Sequence, residues 1–123
     1  MSTLKLDTLS NKAGTASVPS DTIVSGTAKA WVSLQTAGGT VIVLQSFNVS
    51  SVTDAGVGQY TVNFTNAVTA NYCVTASTSD GEVAGFLRNS GKYDSSGFQL
   101  SAYLADSNVY YDPYYTHGVV HSN

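Results

Sequence analysis

The middle of the chain carries two neighbouring stretches in which apolar and polar residues alternate. In the second stretch Tyr60, Val62 and Phe64 alternate with Thr and Asn, and in the first Phe47 and Val49 alternate with Asn and Ser. A period of two predicts strands with one packed and one wet face. The Asp-Ala-Gly-Val-Gly sequence between the stretches supplies glycines for a tight loop, so we predict an antiparallel hairpin.

Short β-forming runs separated by Gly, Asn, Asp and Ser recur on both sides of this hairpin. No stretch shows a helical period of useful length, and the regular spacing is typical of a β-sandwich or barrel. We predict an all-β protein, a small antiparallel β-sandwich of jelly-roll-like type with an extended N-terminal arm. The core is expected to contain Phe98, the single Trp31 and the inert thiol of Cys73. The further predicted strands cover residues 28–34, 40–45, 70–76, 83–87, 98–104 and 116–121.

The N-terminus differs from the rest of the chain. The sequence Ser-Thr-Leu-Lys-Leu-Asp-Thr-Leu places Leu4, Leu6 and Leu9 in a short extended stretch. Such a strand is either an arm that pairs with another chain or the first edge strand of the sandwich. The sequence after it is rich in Ser, Thr, Ala and Gly, which is typical of a linker. The chain thus divides into an attachment arm, a linker and a β-sandwich body, at residues 1–9, 10–26 and 27–123.

The surface chemistry is unusual, because only 11% of the residues are charged, against about a quarter in typical domains. The formal net charge is −3, and the five Lys and Arg residues are scattered. Without a basic stripe, nucleic acid is not an expected partner. Uncharged polar surfaces of this kind are common in β-rich proteins that are covered by an assembly.

Neither secretion nor membrane insertion is expected. The first residues lack the apolar run of a secretion leader, and no apolar stretch approaches the length that spans a bilayer. The single cysteine excludes a disulfide within the chain. We therefore expect a protein that is made in a cytoplasm.

Motifs for catalysis or for a cofactor are missing from the sequence. His117 and His121 share one face of a predicted strand and could chelate a metal, but no Cys or carboxylate accompanies them, so we expect no metal. Asp80, Asp106 and Asp112 have the positions of turn residues. No phosphate-binding loop, nucleophile elbow or zinc-protease motif occurs. We expect no enzyme and no cofactor.

Tyrosines are concentrated in the C-terminal third, and four of them surround one proline. Each tyrosine hydroxyl needs a partner when it is buried, so a dense group is hard to place in a core. Such a group suits contact with sugar rings or with protein, and it equally suits packing between subunits. The candidate contact residues are Tyr93, Tyr110, Tyr111, Tyr114 and Tyr115.

Three segments of the body carry a family resemblance. They read Gly-Thr-Ala-Lys-Ala-Trp-Val at 26–32, Ser-Phe-Asn-Val-Ser-Ser-Val-Thr-Asp at 46–54 and Gly-Gln-Tyr-Thr-Val-Asn-Phe at 58–64. Together with the N-terminal arm, they resemble a small β-module of tailed-bacteriophage virion proteins. The similarity is greatest to tail-fibre-like proteins of phages that infect marine bacteria and cyanobacteria. The resemblance covers residues 2–76 and implies a trimeric, non-enzymatic structural protein. The tyrosine-rich segment lies outside it.

The resemblance leads us to expect a short tail fibre or adhesion protein, located in the virion after synthesis in the host cytoplasm. Its arm would bind other virion proteins through Leu4, Leu6 and Leu9, and its tyrosines would contact a cell-surface glycan or a neighbouring subunit. The alternative is a capsid decoration protein, in which the arm joins capsomers. A lectin-like accessory of an enzyme is a third interpretation, and it predicts sugar binding by an isolated monomer.

Overall fold

The computed structural model of the chain describes residues 2–79, 85–88, 91–104, 107 and 109–122. One short helix, α1 (Ser20–Gly26), follows Pro19 and contains no buried residue. It lies in the predicted linker, where we expected no helix. A single 3₁₀ turn spans Ala37–Gly39. The strands are β1 (Thr8–Ser10), β2 (Ser17–Pro19), β3 (Ala30–Gln35), β4 (Ile42–Phe47), β5 (Val49–Gly56), β6 (Gln59–Phe64), β7 (Cys73–Ser79), β8 (Gly85–Arg88), β9 (Tyr93–Asp94), β10 (Gly97–Leu104) and β11 (Tyr115–His121).

Two antiparallel sheets form the body, and the predicted all-β sandwich is confirmed. The first sheet has the strand order β4-β3-β11-β7. The second sheet has the order β5-β6-β10-β8, and β9 also pairs with β10. The inner faces of both sheets supply one hydrophobic core, in which Leu34 of β3, Val62 of β6 and Phe98 of β10 are almost fully buried.

The central hairpin is confirmed as β5 and β6. Tyr60, Val62 and Phe64 are buried, as their alternation predicts. Gly56 and Gly58 have positive φ angles of 133° and 64° in the connecting loop.

The first stretch of the predicted hairpin is divided between the two sheets at Asn48, which has a φ of 54°. Asn tolerates this left-handed conformation better than most residues do. Its side chain donates to the carbonyl groups of Lys29 and Asn66 and accepts a bond from the Asn66 amide. The prediction that Phe47 and Val49 share a face is therefore wrong, because the chain changes sheets between them.

Trp31 and Cys73 lie on the outer face of the first sheet, so their predicted burial is wrong. Ala30 and Val32 point into the core, which leaves the half-buried Trp31 on the opposite face of β3. Trp31 there lies opposite Phe47 of β4. Cys73 begins β7 and is exposed. An alternating pattern separates the two faces of a strand but does not show which face is buried. In β3 the small Ala30 faces the core and the large indole of Trp31 lies on the outer face.

The N-terminal segment, residues 2–27, is separate from the sandwich. β1 pairs with β2 in a two-stranded sheet of their own, and β1 is not an edge strand of the body. All of these residues are exposed except Val18 and Ser20, which are half-buried. The small hairpin crosses the predicted boundary between arm and linker.

Candidate functional site

The body has two distinct ends, which we name by what lies there. At the arm end, the Lys29 amide donates to the Val120 carbonyl, and the N-terminal segment joins the body. At the tyrosine end, the Thr36 amide donates to the Tyr114 carbonyl. The six residues of β3 connect the two ends and span about 20 Å. The arm and residues 109–114 are therefore on opposite ends of the sandwich.

The tyrosine end is held together by Asp112. One carboxylate oxygen of Asp112 accepts the Gly58 amide at 2.6 Å and the Tyr60 hydroxyl at 2.9 Å. The Thr36 hydroxyl donates to the carbonyl of Pro113, which is fully buried. Turn chemistry thus does not account for Asp112, since its bonds join residues far apart in the chain. The bonds of Asp112 fix the tyrosine-bearing segment to the beginning of β6, and the Thr36 bond fixes it to the end of β3.

Close backbone approach at Gly58 completes this packing. A Cβ atom on Gly58 would lie 2.4 Å from the Tyr111 carbonyl oxygen and 2.5 Å from that of Ala102. The Tyr111 amide donates to the same Ala102 carbonyl, and the Ala102 amide donates to the Gly58 carbonyl. Only glycine fits where these three backbones meet.

Burial at this end also changes the acidity of Tyr60. Removal of its hydroxyl from water raises the pKa of Tyr60 well above its ordinary value, and the negative charge of Asp112 raises it further. Tyr60 therefore stays protonated, and its hydroxyl donates a hydrogen bond to Asp112. This hydrogen-bonded pair stabilises the fold.

The structure brings four of the five candidate tyrosines together. Tyr110 and Tyr114 are exposed at the tyrosine end, by 39% and 50% respectively. Tyr115 is half-buried, with its ring centroid 4.7 Å from that of Tyr114. The hydroxyl of Tyr111 is buried and has no hydrogen-bond partner in the described part of the chain. Of these four tyrosines, Tyr110 and Tyr114 are therefore the most open to a ligand.

Tyr93 lies at the arm end and does not join this group. β9 pairs with the beginning of β10, where Tyr93 is opposite Phe98. Its hydroxyl donates to the Tyr72 carbonyl, and the two rings are 4.5 Å apart. The predicted contact surface is therefore divided between the two ends of the body.

The predicted attachment residues are available to a partner. Leu4, Leu6 and Leu9 are exposed by 82%, 46% and 53%. Leu9 belongs to β1, whereas Leu4 and Leu6 precede the first strand. The arm thus presents three apolar side chains that its own body does not cover.

The structure describes both candidate metal ligands, His117 and His121. Both belong to β11, and His117 shares a hydrogen bond of 3.1 Å between its Nδ1 and the Ser33 hydroxyl. Among the residues that the structure describes, no group of three or more His, Cys, Asp or Glu is arranged to hold a metal ion.

The remaining described carboxylates of the body serve local turns. Asp54 accepts the Gly56 amide, and Asp94 accepts both the amide and the hydroxyl of Ser96. The bonds from Ser96 lower the pKa of Asp94 below its ordinary value. Asp80 and Asp106 lie outside the described residues.

The sequence analysis missed one surface, the edge strand β4. Its side chains are all exposed, although Ile42, Val43, Leu44 and Phe47 are apolar. The available signal was the uninterrupted apolar run Val-Ile-Val-Leu, which does not alternate as a half-buried strand should.

Comparison with known proteins adds no relative: no family model, curated protein or solved structure matches the chain. Within the described ranges, no helix is both long and apolar enough to cross a bilayer.

Proposed function

We propose that this protein is a non-enzymatic structural component of a tailed-phage virion, and specifically a short homotrimeric tail fibre or adhesion protein. The observation that carries the proposal is the placement of two unlike surfaces at opposite ends of one rigid sandwich. An apolar arm leaves one end, and a fixed group of tyrosines occupies the other. A molecule built in this way attaches at one end and makes contact at the other.

The arm end supports docking to other virion proteins. Leu4, Leu6 and Leu9 are exposed, and the whole N-terminal segment buries little against its own body. Exposed apolar residues on an extended segment gain free energy when a partner covers them. The segment is thus better suited to a neighbouring protein than to the fold of its own chain.

The tyrosine end supports contact with a cell-surface glycan. Tyr110 and Tyr114 expose ring surface, and aromatic rings are favourable packing partners for the apolar faces of sugars. The hydrogen bonds of Asp112 and the buried Pro113 hold the segment in one shape, so little ordering entropy is lost on binding.

A capsid decoration protein is the second candidate, and the exposed apolar strand β4 favours it. A protein that lies in a shell is covered on its sides as well as at its ends. The same arm would then join capsomers, and the tyrosines would pack against adjacent subunits. The two candidates differ in copy number and in location.

The decisive experiment locates the chain in the assembled particle by cryo-EM and counts its copies. A few trimers on the tail support adhesion, and a regular array over the shell makes the protein a decoration protein. Absence from the particle overturns both candidates.

A companion experiment separates the two ends. Deletion of residues 2–9 should abolish incorporation into particles. Replacement of Tyr110 and Tyr114 by Ala should leave incorporation intact and reduce adsorption to host cells. Tyr93→Ala, at the opposite end of the body, is the matched control and should adsorb normally. Equal loss in all tyrosine variants would contradict the assigned contact surface.

A further inference from the structure

The edge strand β4 is an apolar edge of the sandwich, and all of its side chains are exposed. Ile42, Val43, Leu44 and Phe47 are each exposed by 43–54%. The strand contains no charged residue and no proline. Edge strands present unpaired backbone groups, and natural proteins usually protect them with charges, proline or bulges. The pairing of β4 with β3 has one register shift, between Ser33 and Leu34. Because β4 has neither a charge nor a proline, its apolar edge is suited to pairing with another strand.

Two of the other edges, β5 and β7, show the contrast. β5, the edge of the second sheet, has irregular pairing between Val49 and Ser51 and between Asp54 and Gly56, and it carries the charged Asp54. β7, the far edge of the first sheet, exposes Thr75, Ser77 and other hydroxyl-bearing residues. The charge of Asp54 opposes pairing of β5 with another chain. Of β4, β5 and β7, only β4 exposes large apolar side chains.

The chain itself carries a segment of matching length and polarity. Residues 2–6, which we call the arm tip, lie outside any strand and are exposed. Leu4 and Leu6 alternate with Thr3 and Lys5, so an extended arm tip has one apolar face. Regular bonding begins only after the tip, where the Asp7 carbonyl accepts the Ser20 amide. Five extended residues fit beside the six residues of β4.

We propose that the arm tip of one copy pairs with β4 of a second copy as an added strand. The inference rests on the proposed homotrimer and deepens it, because it assigns Leu4 and Leu6 to a neighbouring copy and leaves Leu9 of the three arm leucines for other virion proteins. In this arrangement backbone hydrogen bonds join the tip to β4, and Leu4 and Leu6 cover exposed apolar side chains of that strand. β4 carries no charge, so neither Lys5 nor Asp7 meets a like charge there.

The symmetry of this contact agrees with a closed oligomer. An arm that binds a different surface on the next copy makes a heterologous contact, and such contacts form a ring when the rotation between copies closes. A three-membered ring of this kind has every arm tip and every β4 paired. Leu9, together with Ile23 and Val24 on α1, stays exposed for contact with other virion proteins.

Disulfide trapping tests the pairing directly. One chain carries Leu6→Cys and a second, differently tagged chain carries Leu44→Cys, both with Cys73→Ser. After the chains are mixed and mildly oxidised, we expect a disulfide-linked dimer that contains both tags. The matched control mixes the Leu6→Cys chain with a chain that keeps its native Cys73. Cys73 is exposed on β7, the opposite edge of the same sheet, and should not form the mixed dimer.

Light scattering on the full-length protein gives an independent measurement. The double variant Leu4→Asp/Leu6→Asp should shift the oligomer to monomer and leave the β-sheet circular dichroism unchanged. Leu44→Lys should have the same effect from the receiving side. Ile23→Asp/Val24→Asp changes two other exposed apolar residues of the N-terminal segment and should stay oligomeric.

The outcomes separate this inference from the proposed function. If arm variants stay oligomeric and no mixed dimer forms, the pairing is wrong, while the virion role stands. If a doubly substituted Leu6→Cys/Leu44→Cys chain forms only an internal disulfide, the arm folds onto its own β4 and the inference is overturned. A wild-type protein that is monomeric at every concentration contradicts both the pairing and the proposed homotrimer.

Discussion

Asp112 joins separate parts of the tyrosine end through a single carboxylate. Removing it leaves the Gly58 amide and the Tyr60 hydroxyl without their acceptor. An unpaired buried polar group costs about 1–3 kcal/mol. We expect Asp112→Ala to lower the free energy of unfolding by about that amount in urea denaturation. Asp54→Ala is the control, since exposed Asp54 accepts one local bond, and a similar loss there would contradict the special role of Asp112.

Substitution of Tyr by Phe should have different effects on the free energy of unfolding at Tyr111 and at Tyr72. The Tyr111 hydroxyl is buried without a partner, whereas the Tyr72 hydroxyl donates to the Gly97 carbonyl at 2.7 Å. We expect Tyr111→Phe to keep or raise the free energy of unfolding, because it removes an unpaired polar group. Tyr72→Phe should lower that free energy by about 0.5–1.5 kcal/mol. Denaturant titration of both variants decides, and a loss for Tyr111→Phe would show that its hydroxyl is stabilising.

Buried tyrosines also predict an alkaline limit to stability. Burial, helped by the nearby Tyr93 and Asp94, raises the pKa of Tyr72 to about 12, and the pKa of Tyr60 is raised as well. Both phenols ionise near pH 10 in the unfolded chain, at about their ordinary pKa. The unfolded state therefore loses these protons at a lower pH than the folded state does. The contribution of the two tyrosines to the free energy of unfolding is complete below about pH 10 and falls as the pH rises toward the folded pKa.

The measurement is the melting temperature from about pH 9 to about pH 11. The melting temperature should fall over this interval in the wild type. Tyr60→Phe removes one of the titrating groups, so its melting temperature should fall less steeply. Parallel curves for the two proteins would show that Tyr60 contributes nothing to the alkaline transition.

At the scale of elements, the loop between β5 and β6 depends on Gly58 for two separate reasons. Its φ of 64° disfavours other residues, and an added Cβ would meet the Tyr111 and Ala102 carbonyl oxygens. Gly38 has a similar φ of 72° but nothing within 4 Å of an added Cβ. We expect Gly38→Ala to cost about 1–2 kcal/mol of stability from backbone strain alone. Gly58→Ala should cost more in chemical denaturation, and equal costs would mean that the close approach relaxes freely.

The sequence predicts a strand and its buried residues best where apolar and polar residues alternate and only one face of the strand packs on the core. β6 alternates and faces a core on one side only, so its buried residues follow from its period. The run through Phe47 and Val49 does not, because Asn48 takes a left-handed conformation and sends the strands before and after it into different sheets. The same change of sheet leaves β4 at an edge. No residue type in this run indicates that β4 lies at the edge of its sheet.

The positions of the candidate tyrosines, too, could be predicted only in part from the sequence. Tyr110, Tyr111, Tyr114 and Tyr115 are close in sequence, and a short fixed segment keeps them at one end. Tyr93 belongs to a different strand pair, and the register of β9 on β10 places it at the arm end. Alternation gives the face of a sheet but not the end of a sandwich, since the end depends on pairing between distant strands. The role of Asp112 depends on such distant contacts too.

At the scale of the whole molecule, the N-terminal segment and the body should behave as separate units when the protein is dilute. Residues 2–27 are exposed except for half-buried Val18 and Ser20, so they bury little against the core. The wild type and Leu4→Asp/Leu6→Asp should therefore melt at the same temperature at low concentration.

If the arm tip binds a second copy, the melting temperature of the wild type rises with protein concentration, because association favours the folded state. The variant should show no such rise. A variant that melts lower even at the lowest concentration would show instead that the arm supports its own body, and calorimetry over a dilution series distinguishes the two results.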